Sequence, residues 1–323
     1  MSRARHVFHS AELALQARAG VPQSYTEKVA RALRSEMPRH HRDFFESLPV
    51  VFLGVMDARG RVWATPAVGQ PGFLRAREPE VLSVAGRPVL GRTLGLDLRR
   101  GAKIGVLGME LVSRRRNRMN GTIRSVNAEG FEIAVDLSFG NCPQYIQTRQ
   151  LDWPTAGPTA EARLTGDWDA ATRAIVARAD TFFIASRAAE MSDSPVDGVD
   201  VSHRGGRPGF VTVNADGTLS FPDFSGNRFF NTLGNIAADG RVGLFIPDFS
   251  TGAGVFVTGL ASVDWTSDRI ARFAGAERIV DVVPDEIWLC AHALPGPAPL
   301  VERWALLQET GIWAAPIQST SAL

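Results

Sequence analysis

Short apolar runs separated by turn residues dominate the pattern of this chain. Residues 50–56 and 181–186 are almost wholly apolar, and residues 57–60 (Asp-Ala-Arg-Gly) follow the first of these runs. Asp and Gly favour the local hydrogen bonds and positive φ angles of tight turns. The same pattern recurs near residues 82–84, 104–112 and 119–126, and again near 219–221, 242–246 and 255–263. It predicts many antiparallel strands.

Helical patterns are few. Residues 24–27 have the form of a capping box, and Val29, Leu33 and Met37 follow at a spacing of four, which predicts a helix there. A second helix is predicted at residues 169–179. With no alternation of strands and helices, the chain favours a mainly β (α+β) fold built from closed antiparallel barrels over a doubly wound sheet.

An internal repeat divides the chain. The segment Gly-Gln-Pro-Gly-Phe at 69–73 recurs as Gly-Arg-Pro-Gly-Phe at 206–210, so Pro71 matches Pro208 at an offset of 137 residues. Ile104 matches Val242 at an offset of 138. Matches in the same order at nearly one offset predict a duplication. We expect an N-terminal copy at 1–151, a linker rich in Pro, Thr, Ala and Gly at 152–166, and a C-terminal copy at 167–323.

Composition removes several classes of function. The 35 basic and 34 acidic residues balance to a net charge of +1, which argues against a nucleic-acid partner. Two cysteines cannot by themselves form an iron–sulfur cluster or a four-thiolate zinc site, and the histidines have no metal-binding spacing, so no metal is expected. No apolar run approaches the ~20 residues of a membrane span, and no signal peptide is visible. We therefore expect a cytoplasmic protein without a membrane partner.

Two segments carry candidate chemistry. In residues 200–211, three glycines lie beside Ser202, His203 and Arg204, a combination that suits phosphate oxygens. In residues 221–235, a Ser-Gly-Asn turn and Arg228 lead into a short helix, which suits an anion. Each segment has a purely structural alternative: a β-bulge with surface arginines for the first, and an ordinary helix cap for the second.

These segments together resemble a known family. The order Ser-His-Arg-Gly-Gly-x-Pro-Gly-Phe, then Asn-Arg-x-x-Asn-Thr-Leu-Gly-Asn, then Gly-Arg-Val-Gly-Leu-Phe is similar to that of FMN-binding proteins related to pyridoxamine 5′-phosphate oxidase. The resemblance implies tandem FMN-binding split β-barrels with flanking helices, arranged as an internal pseudo-dimer. The oxidase's own arginine-plus-lysine phosphate pattern is not reproduced, so its vitamin substrate is not implied.

The resemblance also implies which residues contact the cofactor. The second copy would hold FMN through Ser202, His203, Arg204, Gly205, Pro222, Asp223, Asn227, Arg228 and Asn231. The first copy would contribute residues across the interface, namely Arg116, Asn117, Gln144 and Tyr145. A solvated basic strand edge is the alternative for the arginines at 114–118. Strand alternation would place Arg114, Arg116 and Arg118 on one face.

The first copy departs from the family pattern. Thr65, Pro66 and Ala67 stand where the second copy has Ser202, His203 and Arg204, and Ala cannot bind an anion. We therefore expect one flavin per chain. Cys142, in a Cys-Pro-x-Tyr-Ile segment, is interpreted as structural because no activating base is evident.

The leading hypothesis is an FMN-dependent oxidoreductase that transfers electrons or hydride to a small-molecule substrate. Its reductant would be a reduced nicotinamide or a separate reductase. The alternatives are a non-catalytic binding module for flavin, haem or a deazaflavin, and a partner-binding protein with a vestigial pocket. A homodimer is also left open.

Overall fold

The computed structural model describes residues 7–151 and 160–313, and its architecture is mainly β with a few short helices. The first half contains seven strands: β1 Val50–Met56, β2 Val62–Val68, β3 Leu74–Arg75, β4 Val81–Ala85, β5 Lys103–Glu110, β6 Arg115–Val126 and β7 Gly130–Gly140. They form one antiparallel sheet in the order β2-β1-β5-β6-β7-β4-β3.

The second half repeats this strand order. Two small strands come first, β8 Thr148–Arg149 and β9 Ala162–Leu164. Seven more follow: β10 Thr181–Arg187, β11 Val199–Gly205, β12 Thr212–Val213, β13 Leu219–Phe224, β14 Arg241–Pro247, β15 Gly254–Asp264 and β16 Ala276–Cys290. The order β11-β10-β14-β15-β16-β13-β12 follows the same path as the first sheet. β9 pairs with β16, and β8 pairs with β17, Leu300–Glu302.

In the described parts of the chain, six α-helices flank the sheets: α1 Ser10–Arg18, α2 Gln23–Ala30, α3 Arg39–Ser47, α4 Ala170–Arg178, α5 Asn231–Ala238 and α6 Asp268–Ala271. A 3-10 helix spans Ala305–Glu309. None of the helices within the described residues is long and apolar enough to cross a membrane. The predicted second helix is confirmed as α4, and the side chain of Asp169 accepts a hydrogen bond from the backbone N–H of Thr172 at 2.8 Å.

Two expectations need correction, and a third is only partly covered by the described residues. The predicted helix at 24–37 ends at Ala30 and begins after Pro22, while Leu33 and Met37 are buried in non-helical chain. Pro38 disfavours the α conformation at Met37, and α3 starts anew behind it. Both sheets are open in the described residues, because β3 and β12 are too short to pair along β2 and β11. Of the predicted linker, residues 152–159 lie outside the described residues and Ala162–Leu164 is built into a sheet.

The two sheets pack face to face through corresponding positions. Phe52 of β1 stacks on Phe183 of β10 with ring centroids 3.4 Å apart. Gly105 abuts the backbone of β11, where a Cβ would lie 2.9 Å from the carbonyl oxygen of Val199. Gly243 abuts β2 in the same way, where a Cβ would lie 2.4 Å from Cα of Trp63. Gly105 and Gly243 thus allow close approach of the two sheets at corresponding positions.

Candidate functional site

A cleft lies between the two halves, at one end of this interface. Its empty space, including the part open to solvent, is about 860 Å³. Every residue predicted for the site lines this cleft except Asn117. The first half contributes to the lining through β6 and the loop at 141–145, and the second half through β11, β13, the turn at 224–228 and the start of α5.

Strand β6 supplies two arginines to the floor of the cleft. Arg116 and Arg118 point the same way, as the alternation predicts, whereas Asn117 between them does not reach the cleft. Arg114 is wrongly grouped with them, because it precedes the strand in a left-handed conformation (φ 62°) and forms an ion pair with Glu302. Successive side chains alternate between the two faces of a strand only where the chain is extended.

Each floor arginine contacts a residue of the second half. Nη1 of Arg116 lies 3.2 Å from Nδ1 of His203, and Nη1 of Arg118 donates to Oδ1 of Asn231 at 3.3 Å. Arg118 also forms a buried ion pair with Asp200. The two halves therefore build the floor together.

A carboxylate between two arginines forms one wall. Asp223 of β13 accepts a hydrogen bond from Nε of Arg278 at 2.9 Å and lies 3.6 Å from Nη2 of Arg204. Arg278 also lies over the rings of Phe230 and Trp265. The sequence reasoning missed Arg278. A charged Glu-Arg pair at 277–278, directly before the apolar pairs at 279–280 and 282–283, was the signal that could have found it.

Several hydrogen-bond donors of the cleft floor have no acceptor among the described residues. Nε of Arg116, Arg118 and Arg204 and Nε2 of His203 are buried without a hydrogen-bond partner among the described residues. Buried N–H groups are normally paired, so four orphan donors lining one cleft indicate that an acceptor binds there.

Burial and mutual repulsion also shift the acid–base behaviour of the floor. Burial, with the nearby Arg204, lowers the pKa of Arg116 to about 10, and burial with Arg116 and Arg204 lowers the pKa of Arg118 to about 9. Burial and these cations hold the pKa of His203 well below its usual range, so the imidazole is neutral. Because Arg116 donates to Nδ1, the imidazole hydrogen lies on Nε2.

The turn before α5 borders the cleft. Oδ1 of Asn227 accepts the backbone N–H of Phe229 at 3.1 Å, and its Nδ2 donates to Oδ1 of Asn141 at 2.8 Å. Arg228 (φ 57°) and Phe230 (φ 62°) both adopt the left-handed conformation that non-glycine residues rarely accept. Arg228 is exposed and has no ion pair with a described residue. Strained backbone of this kind is concentrated at functional sites.

Aromatic rings stand at the mouth. Tyr145 (φ 64°) stacks on Phe224 at 5.2 Å, packs against Trp304 at 4.6 Å and donates its hydroxyl to the carbonyl oxygen of Ser225 at 3.0 Å. Burial, followed by nearby carboxylates, raises the pKa of Tyr145 to about 12. Gly205 of β11 lets the backbone of Tyr145 pack closely against this strand, because a Cβ at position 205 would lie 2.0 Å from the carbonyl oxygen of Tyr145.

Comparisons with known proteins give a partial picture. No protein-family model matches the chain, and no curated protein sequence matches it. Among solved structures, the chain is similar to HupZ of Group A Streptococcus, with 11% identity over 37% of this chain and 91% of that one and a TM-score of 0.30. A candidate pyridoxamine 5′-phosphate oxidase from Lactobacillus delbrueckii gives 17% identity over 38% and 94%, with a TM-score of 0.29.

General Stress Protein 26 from Bacillus anthracis gives 11% identity over 40% of this chain and 95% of that one, with a TM-score of 0.25. Similarities of this size establish neither a family nor a function for this chain. The interpretation of the cleft therefore depends on its own residues.

Proposed function

We propose that this protein binds FMN in the cleft between its halves, one flavin per chain, and uses it as an oxidoreductase acting on a small molecule. The observation that carries the proposal is the group of four buried, unpartnered donors contributed by both halves. All four are N–H groups, so their missing partner is an acceptor, and three of them belong to cations.

The charge of the cleft fits a phosphate monoester. Among the described residues, five arginines line it (Arg116, Arg118, Arg204, Arg228 and Arg278) against Asp223 and Glu277, and Asp200 pairs with Arg118 behind the floor, which leaves an excess of two positive charges. A phosphate carries about −1.5 to −2 charge near neutral pH and three strong acceptor oxygens. A smaller anion would leave part of this excess positive charge uncompensated.

Specific residues are assigned to the cofactor. Arg204 and Arg228 would neutralise the phosphate. The hydroxyl of Ser202 accepts from Thr232 at 3.1 Å, which leaves its own hydrogen to donate to the ligand. Asn227 shapes the turn, since both ends of its amide are engaged by protein groups. Tyr145 and Phe224 provide flat apolar surface of the kind that planar rings stack on.

When bound, FMN supplies hydride or single-electron transfer. The protein would contribute position, positive charge and a neutral imidazole at His203. Its reductant is proposed to be a reduced nicotinamide or a separate reductase.

We also propose that the two halves are fused copies forming an internal pseudo-dimer. The shared strand order and the reciprocal contacts of Phe52 with Phe183, and of Gly105 and Gly243 with the opposite sheet, support this origin. In such an arrangement each site draws residues from both copies. The cleft has that composition, with Arg116 and Arg118 facing β11 of the other half.

A non-catalytic module that binds haem is the second candidate. One observation favours it: His203 is neutral and its Nε2 has no described partner, as an axial iron ligand requires. Against it, Nε2 carries the hydrogen while Arg116 occupies Nδ1.

An absorption spectrum of the purified protein, before and after adding FMN, tests the proposal and separates the candidates. We expect a flavin spectrum, and in Arg228→Ala an affinity weaker by about ten- to hundredfold, because a charge-assisted contact to phosphate contributes about 1.5–3 kcal/mol. Arg92→Ala is the matched control, an exposed arginine near the corresponding turn of the first half. A protein that takes up haem and ignores FMN would overturn the proposal.

A further inference from the structure

The N-terminal helix α1 reaches across to the second half and places a buried carboxylate behind the cleft. Glu12 is 4% exposed. Its Oε2 accepts the backbone N–H of His9 at 2.7 Å, and its Oε1 accepts Nδ2 of Asn231. Gly234 of α5 makes room for it, because a Cβ there would lie 2.6 Å from Cγ of Glu12. Both carboxylate oxygens thus act as acceptors.

These bonds fix the orientation of the Asn231 amide. Since Nδ2 donates to Glu12, Oδ1 faces the cleft floor and accepts from Nη1 of Arg118. The reversed amide would point its N–H groups at a guanidinium that has only donors. Asp200 holds Arg118 from the side of β11.

We propose that Glu12 is a positioning residue for the cleft: as a carboxylate it orients Asn231, Asn231 places Arg118, and the affinity of the cleft for an anion therefore follows the ionisation of Glu12. This inference deepens the proposed function and rests on anion binding at the cleft. Glu12 is not among the residues that line the cleft, so it acts through the other two.

The ionisation of Glu12 falls in the physiological range. Burial raises its pKa to about 7, while hydrogen bonds from Asn231 and His9 and the charge of Arg118 act in the opposite direction. The other charged or titratable groups around it are His9 beside α1, Arg118 on β6, Asp200 on β11 and Asp197 in the preceding loop. Burial lowers the pKa of His9, and burial with the neighbouring Arg116 and Arg204 lowers the pKa of Arg118 to about 9, so the pKa of Arg118 lies above that of Glu12.

Two effects of an ionised Glu12 oppose each other. Its negative charge repels an anion in the cleft, which weakens binding. Its acceptor oxygen keeps Arg118 in place, which strengthens binding. Protonation removes one acceptor, so the buried amide of Asn231 is no longer held in a single orientation. The sign of the net effect therefore distinguishes positioning from simple electrostatics.

The experiment compares FMN dissociation constants of the wild type and Glu12→Gln at about pH 5.5 and about pH 8, below the pKa of Arg118. Gln keeps the shape but has a single acceptor oxygen. We expect similar affinities at the lower pH and a wild type tighter by about tenfold at the higher pH, the effect of one charge-assisted hydrogen bond. The second ionisation of the FMN phosphate, near pH 6, affects both proteins alike. Glu36→Gln, an exposed carboxylate of the same half, is the control. A variant that binds equally well or more tightly at the higher pH would overturn the proposal.

A ligand-free measurement separates this inference from the proposed function. The Nε–H resonance of Arg118 in the free protein should shift with a midpoint near the pKa of Glu12, about 7, and the shift should vanish in Glu12→Gln. If the wild type binds no FMN yet shows this titration, the proposed function fails while the positioning role stands. If the resonance does not titrate near 7 in the wild type, the positioning role fails whether or not FMN binds.

Discussion

The cleft of the second half and the corresponding region of the first half have the same strand order but opposite chemistry. In the second half, β11 presents Ser202, His203 and Arg204 to the cleft. In the first half, the matching residues of β2 are Thr65, Pro66 and Ala67, and the hydroxyl of Thr65 is satisfied internally by the carbonyl oxygen of Val89 at 2.6 Å. One region has unpaired donors, and its counterpart has none at these positions in the described chain.

The corresponding strands β6 and β15 differ in the same way. Arg118 pairs with Leu107 in the first sheet, and Phe256 pairs with Phe245 at the matching place in the second. Thus where the cleft has a buried arginine, the corresponding region has a buried phenylalanine, which packs in an apolar cluster with Leu90 and Leu94. Comparing the two shows that a single sheet arrangement supports either a polar cleft or a closed apolar core, according to a handful of side chains.

We expect the largest effect from placing a charge in the apolar region that corresponds to the cleft. Phe256→Arg would bury a charge in an apolar cluster without a partner, so we expect a loss of about 3–5 kcal/mol in the free energy of unfolding, or failure to fold. Urea denaturation measures this loss.

Arg116→Leu removes a charge from the cleft floor, two residues from Arg118 on the same strand. Arg116 has no acidic partner in the described structure, so we expect the free energy of unfolding to change by less than about 1 kcal/mol. FMN affinity should fall about ten- to hundredfold through the lost charge-assisted contact. If Phe256→Arg were tolerated, or if Arg116→Leu left FMN binding intact, the two regions would not differ as described.

We expect a smaller effect from removing the Tyr145 hydroxyl at the mouth of the cleft. Tyr145→Phe removes the hydroxyl that donates to Ser225 but keeps the ring that stacks on Phe224. We expect FMN affinity to weaken about two- to tenfold, the effect of one neutral hydrogen bond that supports the turn. Flavin fluorescence titration measures this, with Glu36→Gln, at an exposed carboxylate of the first half, as the control. An effect above hundredfold would mean that the hydroxyl contacts the ligand directly.

Local patterns predicted most strands of the fold. The bounds of β1 follow from its apolar run, and those of β10 are correct to one residue, because both are buried on either face and end at turns. The candidate residues on β11 and at the turn before α5 were found from the glycine-rich segment at 200–211, from the Ser-Gly-Asn turn with Arg228, and from the family resemblance that these segments carry.

Local patterns of this kind do not predict contacts between distant parts of the chain. Glu12 and Asn231 are 219 residues apart, and Arg278 meets Asp223 only because β13 pairs with β16 in this register. Open sheets could not be anticipated either, because strand signals do not reveal how short β3 and β12 are. Likewise the spacing of Val29, Leu33 and Met37 fits a helix, yet the backbone of Arg34 pairs with Ser138 of β7 instead, a contact between distant parts of the chain.

The central claim is that one anionic flavin binds per chain, at the cleft of the second half. Isothermal titration of the wild type and Arg204→Ala with FMN tests it most directly, and riboflavin, which lacks the phosphate, serves as the matched ligand. We predict one FMN site per chain, much weaker binding of riboflavin, and loss of most of the FMN affinity in Arg204→Ala. Two equivalent sites per chain, no binding, or equal affinity for FMN and riboflavin would contradict it.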